Sequence, residues 1–333
     1  MNTQKQFLDL RRLRLNPHVR ELTREIRISA EQFIQPHFVV EGIAQREAVA
    51  GLPGVYRENT QSLLDQIDAD LSNGISKIIL FGVPADKAAH DFDFSFTAKQ
   101  VAAIKQHFGE RIWLAVDVCL CSATTHGQCG IVNDQGDHVI NGATVTELAR
   151  AALAYAQAGA DCVAPSDMMD GRVNAIRAEL DSNGYEQTVL MSYSAKFNSS
   201  FYGPFRDAAD SAPKGTGKLQ DRATYQIDPA RPGDALASAL RDAEEGADIL
   251  MVKPAMPYLD VLAQLSQAIP EKPWAVFEVS GEYAAIEALA EQGLIDASRA
   301  HLEAWHAMAR AGATIIISYG ARSASAWLDG SRQ

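Results

Sequence analysis

The stretch GDALASALRDAEEGADILMVKP (233–254) sets out the plan of the chain in one unit. It reads as a helix rich in alanine and leucine, then a Gly-Ala-Asp step, then a short apolar run ending in lysine. Glycine at 246 suits a left-handed helix cap. The same order recurs in both directions along the chain. Apolar, β-branched runs stand at FIQPHFVV (33–40), KIILFGV (77–83), IWLAVDV (112–118), CVAPSD (162–167), VLMSYS (189–194), ILMVKP (249–254), WAVFEVS (274–280) and TIIISY (314–319). They are continuous rather than alternating, as expected of parallel strands buried on both faces. ENTQSLLDQIDADLSNG, TVTELARAALAYAQAGAD and ASRAHLEAWHAMARAGAT read as helices between them, and Gly159 and Gly312 close two of these as Gly246 does.

Eight strands in βα alternation predict a (β/α)₈ TIM barrel. A doubly wound open sheet is the alternative, and the lack of a Gly-rich phosphate loop after an early strand counts against it. A barrel gathers its strand ends on one face. There the sequence places Asp117, Ser166, Asp167, Lys196, Lys253, Ser280 and Tyr319. Residues 1–30 precede the first strand and read as a partly helical arm for subunit contacts. Residues 31–333 form the barrel domain, with a long loop at about 197–229 in the position of an active-site lid.

A net charge of −12 over 333 residues argues against nucleic acid as the main partner. No apolar run reaches the length of a membrane span. The start, MNTQKQFLDLRRLRL, lacks the apolar core of a secretory signal, so a cytoplasmic location is the expectation. The basic cluster at Arg11, Arg12 and Arg14 reads as a solvated or subunit-contacting face.

Lys196 and Lys253 close adjacent strands, so both amines are expected in one mouth. Burial and a second nearby cation each disfavour the ammonium form, which would turn a weak nucleophile into one able to attack a carbonyl. In DVCLCSATTHGQCG (117–130), Cys119 and Cys121 stand in C-x-C spacing and Cys129 follows eight residues later. C-x-C is a strained disulfide, and three clustered thiolates suit zinc. A fourth ligand, where the site is closed, has His126 and Cys162 as candidates. Three ligands and an open position would describe a catalytic ion.

The long loop carries Arg206 and Arg222, whose guanidinium forks suit a carboxylate, together with Tyr202, Phe205 and Gln226. Ser280 and Tyr319 are neutral donors able to hold a second carboxylate. Asp117 borders the cysteines and could serve in proton transfer or orient a lysine.

Taken together, DVCLC…THGQCG, APSDMMDGRV, MSYSAKF, FYGPFRDAA, YQIDP, LMVKPAMPYLD and VSGEYA resemble the porphobilinogen synthases, or 5-aminolaevulinate dehydratases, in order over nearly the whole chain. The resemblance implies condensation of two 5-aminolaevulinate molecules with loss of two waters. Lys253 would hold the propionate-side substrate, with Ser280 and Tyr319 on its carboxylate. Lys196 would hold the acetate-side substrate, with Arg206, Arg222 and Gln226 on its carboxylate. Zinc on Cys119, Cys121 and Cys129 would act as a Lewis acid, Asp117 and Ser166 would line the site, and the arm would build a homo-octamer. Ser238 stands where magnesium-stimulated members carry glutamate, so no stimulatory magnesium site of that kind is expected. A Schiff-base aldolase on the same barrel would need one lysine and no thiolates. A non-catalytic zinc-binding barrel would show no turnover.

Overall fold

The computed structural model describes residues 10–214 and 219–330. The first part of the expected arm, and residues 215–218 of the expected lid, lie outside the described residues.

Eight parallel strands form the barrel: β1 Phe33–Val40, β2 Lys77–Val83, β3 Trp113–Val118, β4 Cys162–Pro165, β5 Val189–Lys196, β6 Ile249–Lys253, β7 Trp274–Glu278 and β8 Ile315–Ser318. Each pairs with the next, and β8 closes on β1 through Phe33 opposite Ile316 and Ile34 opposite Ile317. The helices are α1 Thr60–Ser72, α2 Ser95–Phe108, α3 Asn141–Gln157, α4 Arg172–Ser182, α5 Gly233–Glu244, α6 Leu259–Ala268, α7 Ser280–Glu291, α8 Ala297–Arg310 and α9 Ala324–Gly330. Gly159, Gly246 and Gly312 take φ of +103°, +103° and +114°, the left-handed cap that their position before a strand requires. Before the barrel, Pro17–Leu22 is helical, and Asn16 caps it by accepting from the Val19 N–H at 3.0 Å.

The uniformly apolar strands serve two cores. Ile34, Phe38, Phe81, Met191, Tyr193 and Phe277 fill the barrel interior. Val39, Leu80, Val116, Leu250, Val276 and Ile316 face the surrounding helices. Side chains alternate along a strand, so a run apolar at every position satisfies both layers.

One irregularity decides the site. Between β5 and β6 the register pairs Ser192 with Leu250, then Ala195 with Val252 and Lys196 with Lys253. Tyr193 and Ser194 therefore stand against Met251 alone, a β-bulge. Met191 and Tyr193 belong to the interior, whereas Ala195, past the bulge, belongs to the outer core. Without the extra residue, alternation would turn Ala195 inward and Lys196 toward the helices. Arg172 and Asp242, from α4 and α5, hold the bulge from outside. Arg172 Nη2 lies 3.0 Å from the Asp242 carboxylate, donates to Ser192 Oγ at 3.1 Å and donates to the Tyr193 carbonyl at 3.3 Å. Ser192 donates to Asp242 at 2.6 Å.

Several boundaries differ from the sequence reading. β5 runs on to Lys196 because the bulge keeps it paired. β4 stops at Pro165, so Ser166 and Asp167 lie in the loop that follows. Ser280 is the first residue of α7 rather than the last of a strand. Its strand ends because the Val279 N–H turns to Glu282 Oε2 at 2.7 Å while the Val279 carbonyl accepts from the Tyr283 N–H at 3.0 Å. The long loop is partly folded, with a turn of 3₁₀ helix at Ser200–Tyr202 and a short helix at Gly203–Ala208.

Candidate active site

Lys196 and Lys253 emerge side by side at the strand ends, both buried. Lys253 Nζ sits 3.8 Å from the centroid of the Phe277 ring and 5.0 Å from those of Tyr193 and Phe205. This aromatic floor excludes water from the amine. Burial, followed by the neighbouring Lys196 ammonium, pushes Lys253 down to about 7. The Lys196 amine donates to the Ser166 carbonyl. Burial raises Asp117 above the usual carboxylate range, against the opposing pull of Lys196 and Lys253. Asp117, Cys119, Cys121, Phe81 and Phe205 line one cavity.

The three cysteines meet as the spacing predicts: Cys119, Cys121 and Cys129 lie with all sulfurs within 4.8 Å of one another. Three thiolates bound to zinc at about 2.3 Å would be about 3.8 Å apart, so small side-chain adjustments close this triangle on an ion. Sulfur hydrogen bonds from Cys119 and Cys121 hold Cys129 well below the usual thiol value; the bonds to Cys121 and then Cys129 push Cys119 well up, and Cys121, lowered by its bond with Cys119, is raised overall by Cys129 and burial. The donor set is soft, with Cys121 and Cys129 buried, Cys119 half-buried and a thiolate already favoured at Cys129, which fits zinc. His126 stands outside it: Nδ1 accepts from the Gln128 N–H at 3.1 Å and Nε2 is buried without a protein partner. Cys162 points into the barrel interior and is not a member of the group.

Arg222 is 2% exposed and donates to the carbonyls of Gly127 at 2.9 Å and Ser211 at 2.7 Å. Burial opposes its charge, but the thiolates of Cys129 and Cys121 outweigh burial and hold its pKa above the ordinary arginine value. Arg206 is half-buried, with its Nε unpartnered, and burial with Arg222 lowers its pKa. Tyr319 is buried with its hydroxyl unpartnered. The Ser280 hydroxyl accepts from the Phe205 N–H at 3.0 Å and donates to the Phe201 carbonyl at 3.3 Å, tying the lid to α7. Tyr202 donates to the Phe197 carbonyl at 2.8 Å, beneath the lysines. Gln226 donates its backbone N–H to the Arg222 carbonyl at 2.9 Å and borders a wider cleft with Met168, Met169, Ser238 and Arg241, and both its side-chain amide atoms are buried without partners. Buried polar atoms left unpaired are uncommon and costly. Those of Arg206, Tyr319 and Asp117 belong to residues of the strand ends and the lid.

Sequence reasoning passed over four residues that shape this face. Phe81, Tyr193 and Phe277 make the aromatic floor, and runs apolar at nearly every position carry no mark of which residues turn inward. Tyr225 bridges the lid and the cysteine loop, and nothing local in YQIDP announces that.

A closed parallel barrel with two buried, register-paired lysines and three clustered cysteines at one end has the make-up of a TIM-barrel enzyme. The chain belongs to the delta-aminolevulinic acid dehydratase family, whose profile matches residues 8–327. It is 42% identical over 324 residues to the delta-aminolevulinic acid dehydratase of Bacillus subtilis (strain 168), covering 96% of this chain and 97% of the relative. The Methanothermus sociabilis enzyme of that name is 41% identical over 318 residues, covering 94% of this chain and 96% of the relative. The crystal structure of the Toxoplasma gondii ME49 enzyme in complex with its reaction product, porphobilinogen, superposes with a TM-score of 0.92 at 38% identity, covering 96% of this chain and 91% of that one.

Proposed function

We propose a division of labour among the residues of this site for the reaction of porphobilinogen synthase. That reaction condenses two molecules of 5-aminolaevulinate to porphobilinogen, a step of tetrapyrrole biosynthesis, and is the function that family membership gives this chain. The observation that carries the residue assignment is the pairing of Lys196 with Lys253 across the β5–β6 bulge, with Lys253 brought to about 7.

In our reading, neutral Lys253 attacks the ketone of the first substrate and loses water to form a Schiff base. Tyr319 and Ser280 receive its carboxylate, Ser280 by exchanging its bond to the Phe201 carbonyl. Lys196 binds the second substrate in the same way, and Arg206, Arg222 and Gln226 face that substrate's carboxylate. Each Schiff base restores its lysine as the ring closes, so the overall loss is two waters. Asp117, between the two amines and the cysteines, is placed to move protons among them, and the Ser166 carbonyl orients Lys196. Cys119, Cys121 and Cys129 would hold zinc, which supplies Lewis-acid polarisation of a substrate carbonyl or amine when bound. A Schiff-base aldolase would leave the second, register-paired lysine without work.

Residues 1–30 would serve as an arm joining subunits into a homo-octamer. Leu10, Leu13, Leu15 and Leu22 on it are 46%, 48%, 75% and 80% exposed in the single chain, apolar area that a neighbouring subunit would cover. No described helix is long and apolar enough to cross a membrane. A cytoplasmic location, and independence from stimulatory magnesium given Ser238, complete the proposal.

The test is porphobilinogen formation from 5-aminolaevulinate, before and after zinc removal and restoration, with borohydride trapping of substrate on the lysines. Adducts at Lys253 and Lys196, and activity that follows zinc, are expected. Turnover without either adduct would overturn the lysine assignment. Turnover after complete zinc removal would overturn the role of the cysteines.

A further inference from the structure

The cysteine loop and the lid are joined residue by residue. His126 accepts the Lys214 N–H on its carbonyl at 2.9 Å. Gly127 accepts Arg222 at 2.9 Å. Its φ of +71° is one that side-chain-bearing residues rarely adopt, and a Cβ there would lie 2.3 Å from the Ala212 carbonyl oxygen. Gln128 is fully buried, and its side-chain amide donates to the carbonyls of Leu219 at 2.8 Å and Asp221 at 3.2 Å. Its Oε1 accepts the Tyr225 hydroxyl at 2.7 Å. That same hydroxyl accepts the backbone N–H of Cys129 at 3.1 Å. Farther round the loop, Lys87 Nζ donates to the Ser122 carbonyl at 3.1 Å and pairs with the Asp210 carboxylate at 2.8 Å.

We propose that Gln128 and Tyr225 are positioning residues that couple metal loading of the cysteine triangle to docking of the lid. The inference rests on the metal reading above. Gln128 touches lid backbone at two points but reaches no sulfur. Tyr225 fixes the peptide of one ligand, Cys129, and is itself part of the lid. A metal drawing the sulfurs together sets the Gly127–Cys129 backbone, and that backbone presents the acceptors and donors that the lid needs. By linkage, lid docking must tighten metal binding by the same factor as metal binding favours docking. Groups that support ligands from one shell out typically change metal affinity 10- to 100-fold on removal. Arg222 is the third tie, and because it is also assigned to substrate it is left unchanged in the test.

The experiment uses the full chain and two variants, Tyr225→Phe and Gln128→Leu. Zinc affinity is read by competition with a chromogenic chelator, and lid docking by hydrogen exchange in peptides spanning 200–214 and 219–229, with and without zinc. In the unaltered chain, zinc should slow exchange in both stretches. Tyr225→Phe should weaken zinc about 10-fold or more and largely abolish the zinc dependence of exchange. Gln128→Leu should do the same if it remains folded, as thermal melting checks. Saturating zinc should recover most of kcat in Tyr225→Phe, which a general loss of structure would not allow. Unchanged zinc affinity in Tyr225→Phe, or lid exchange indifferent to zinc in the unaltered chain, would overturn the coupling while leaving the metal site standing. Failure of the unaltered chain to bind zinc at all would overturn the metal reading and the coupling together.

Discussion

Replacing Lys196 with methionine should move the titration of Lys253 without destroying its reactivity. Lys253 lies at about 7 against an ordinary 10.5, with burial the largest cause and the Lys196 charge the next. That depression raises its neutral fraction at pH 7 from about 1 in 3,000 to about one half, on the order of 10³-fold more nucleophile. Methionine keeps the length and apolar stem but removes the charge. For amines roughly 6 Å apart at an effective dielectric of about 20, the repulsion is about 2.8 kcal/mol, or about two pKa units at most. Because burial persists, the midpoint should rise to about 8–9 rather than return to 10.5. The assay is the rate of borohydride-trapped 5-aminolaevulinate on Lys253, read by peptide mass spectrometry across pH. The unaltered chain should give a half-maximum near 7. Lys196→Met should give a shifted curve that reaches a similar plateau at high pH, with a rate at pH 7 about 5- to 50-fold lower. Lys196→Arg keeps the cation and should leave the midpoint near 7. An unshifted curve in Lys196→Met would refute the claim that the bulge brings the two charges together.

Three further outcomes are expected. Lys253→Met should stabilise the fold by an amount on the order of a few kcal/mol at neutral pH. Its folded-state pKa lies below the unfolded value, so the cost of keeping lysine there is fully present below about 7 and fades toward 10.5; urea midpoints that diverge as pH rises would contradict this. Asp242→Asn removes the charge facing buried Arg172, both at 0% side-chain exposure. It should cost about 3–5 kcal/mol and loosen the bulge, lowering adduct formation at Lys196 more than at Lys253; equal loss at both would argue against a clamp on the bulge. Gly127→Ala should destabilise by more than about 1 kcal/mol through its positive φ and expose the lid to proteolysis through the contact with Ala212, whereas Gly136→Ala, whose φ is also +71° but with open space around it, should leave the lid protected.

Much of this architecture is local and therefore legible. Runs apolar at every position require burial on both faces, and eight of them separated by glycine-capped helices leave few arrangements other than a closed barrel. The C-x-C spacing and the lysine-terminated strands stand out in the sequence because such residue types are costly to bury without a partner. Neither feature depends on partners distant in sequence.

The remainder was decided between distant segments. Alternation read forward from Met191 turns Lys196 away from the site. Only the pairing of β5 with β6, held by Arg172 and Asp242 from two helices, adds the residue that turns it back. Ser280 reads as a strand end until Glu282 takes the Val279 N–H and starts a helix one residue earlier. Nothing in YQIDP marks Tyr225, yet it reaches Cys129 across 96 residues of chain. The sequence by itself determined which side chains could do chemistry and which strand ends would carry them. The tertiary structure decided which of them face one another, because that depends on register, bulges and loop docking, where hydrogen bonds form between groups whose separation along the chain carries no periodic signal.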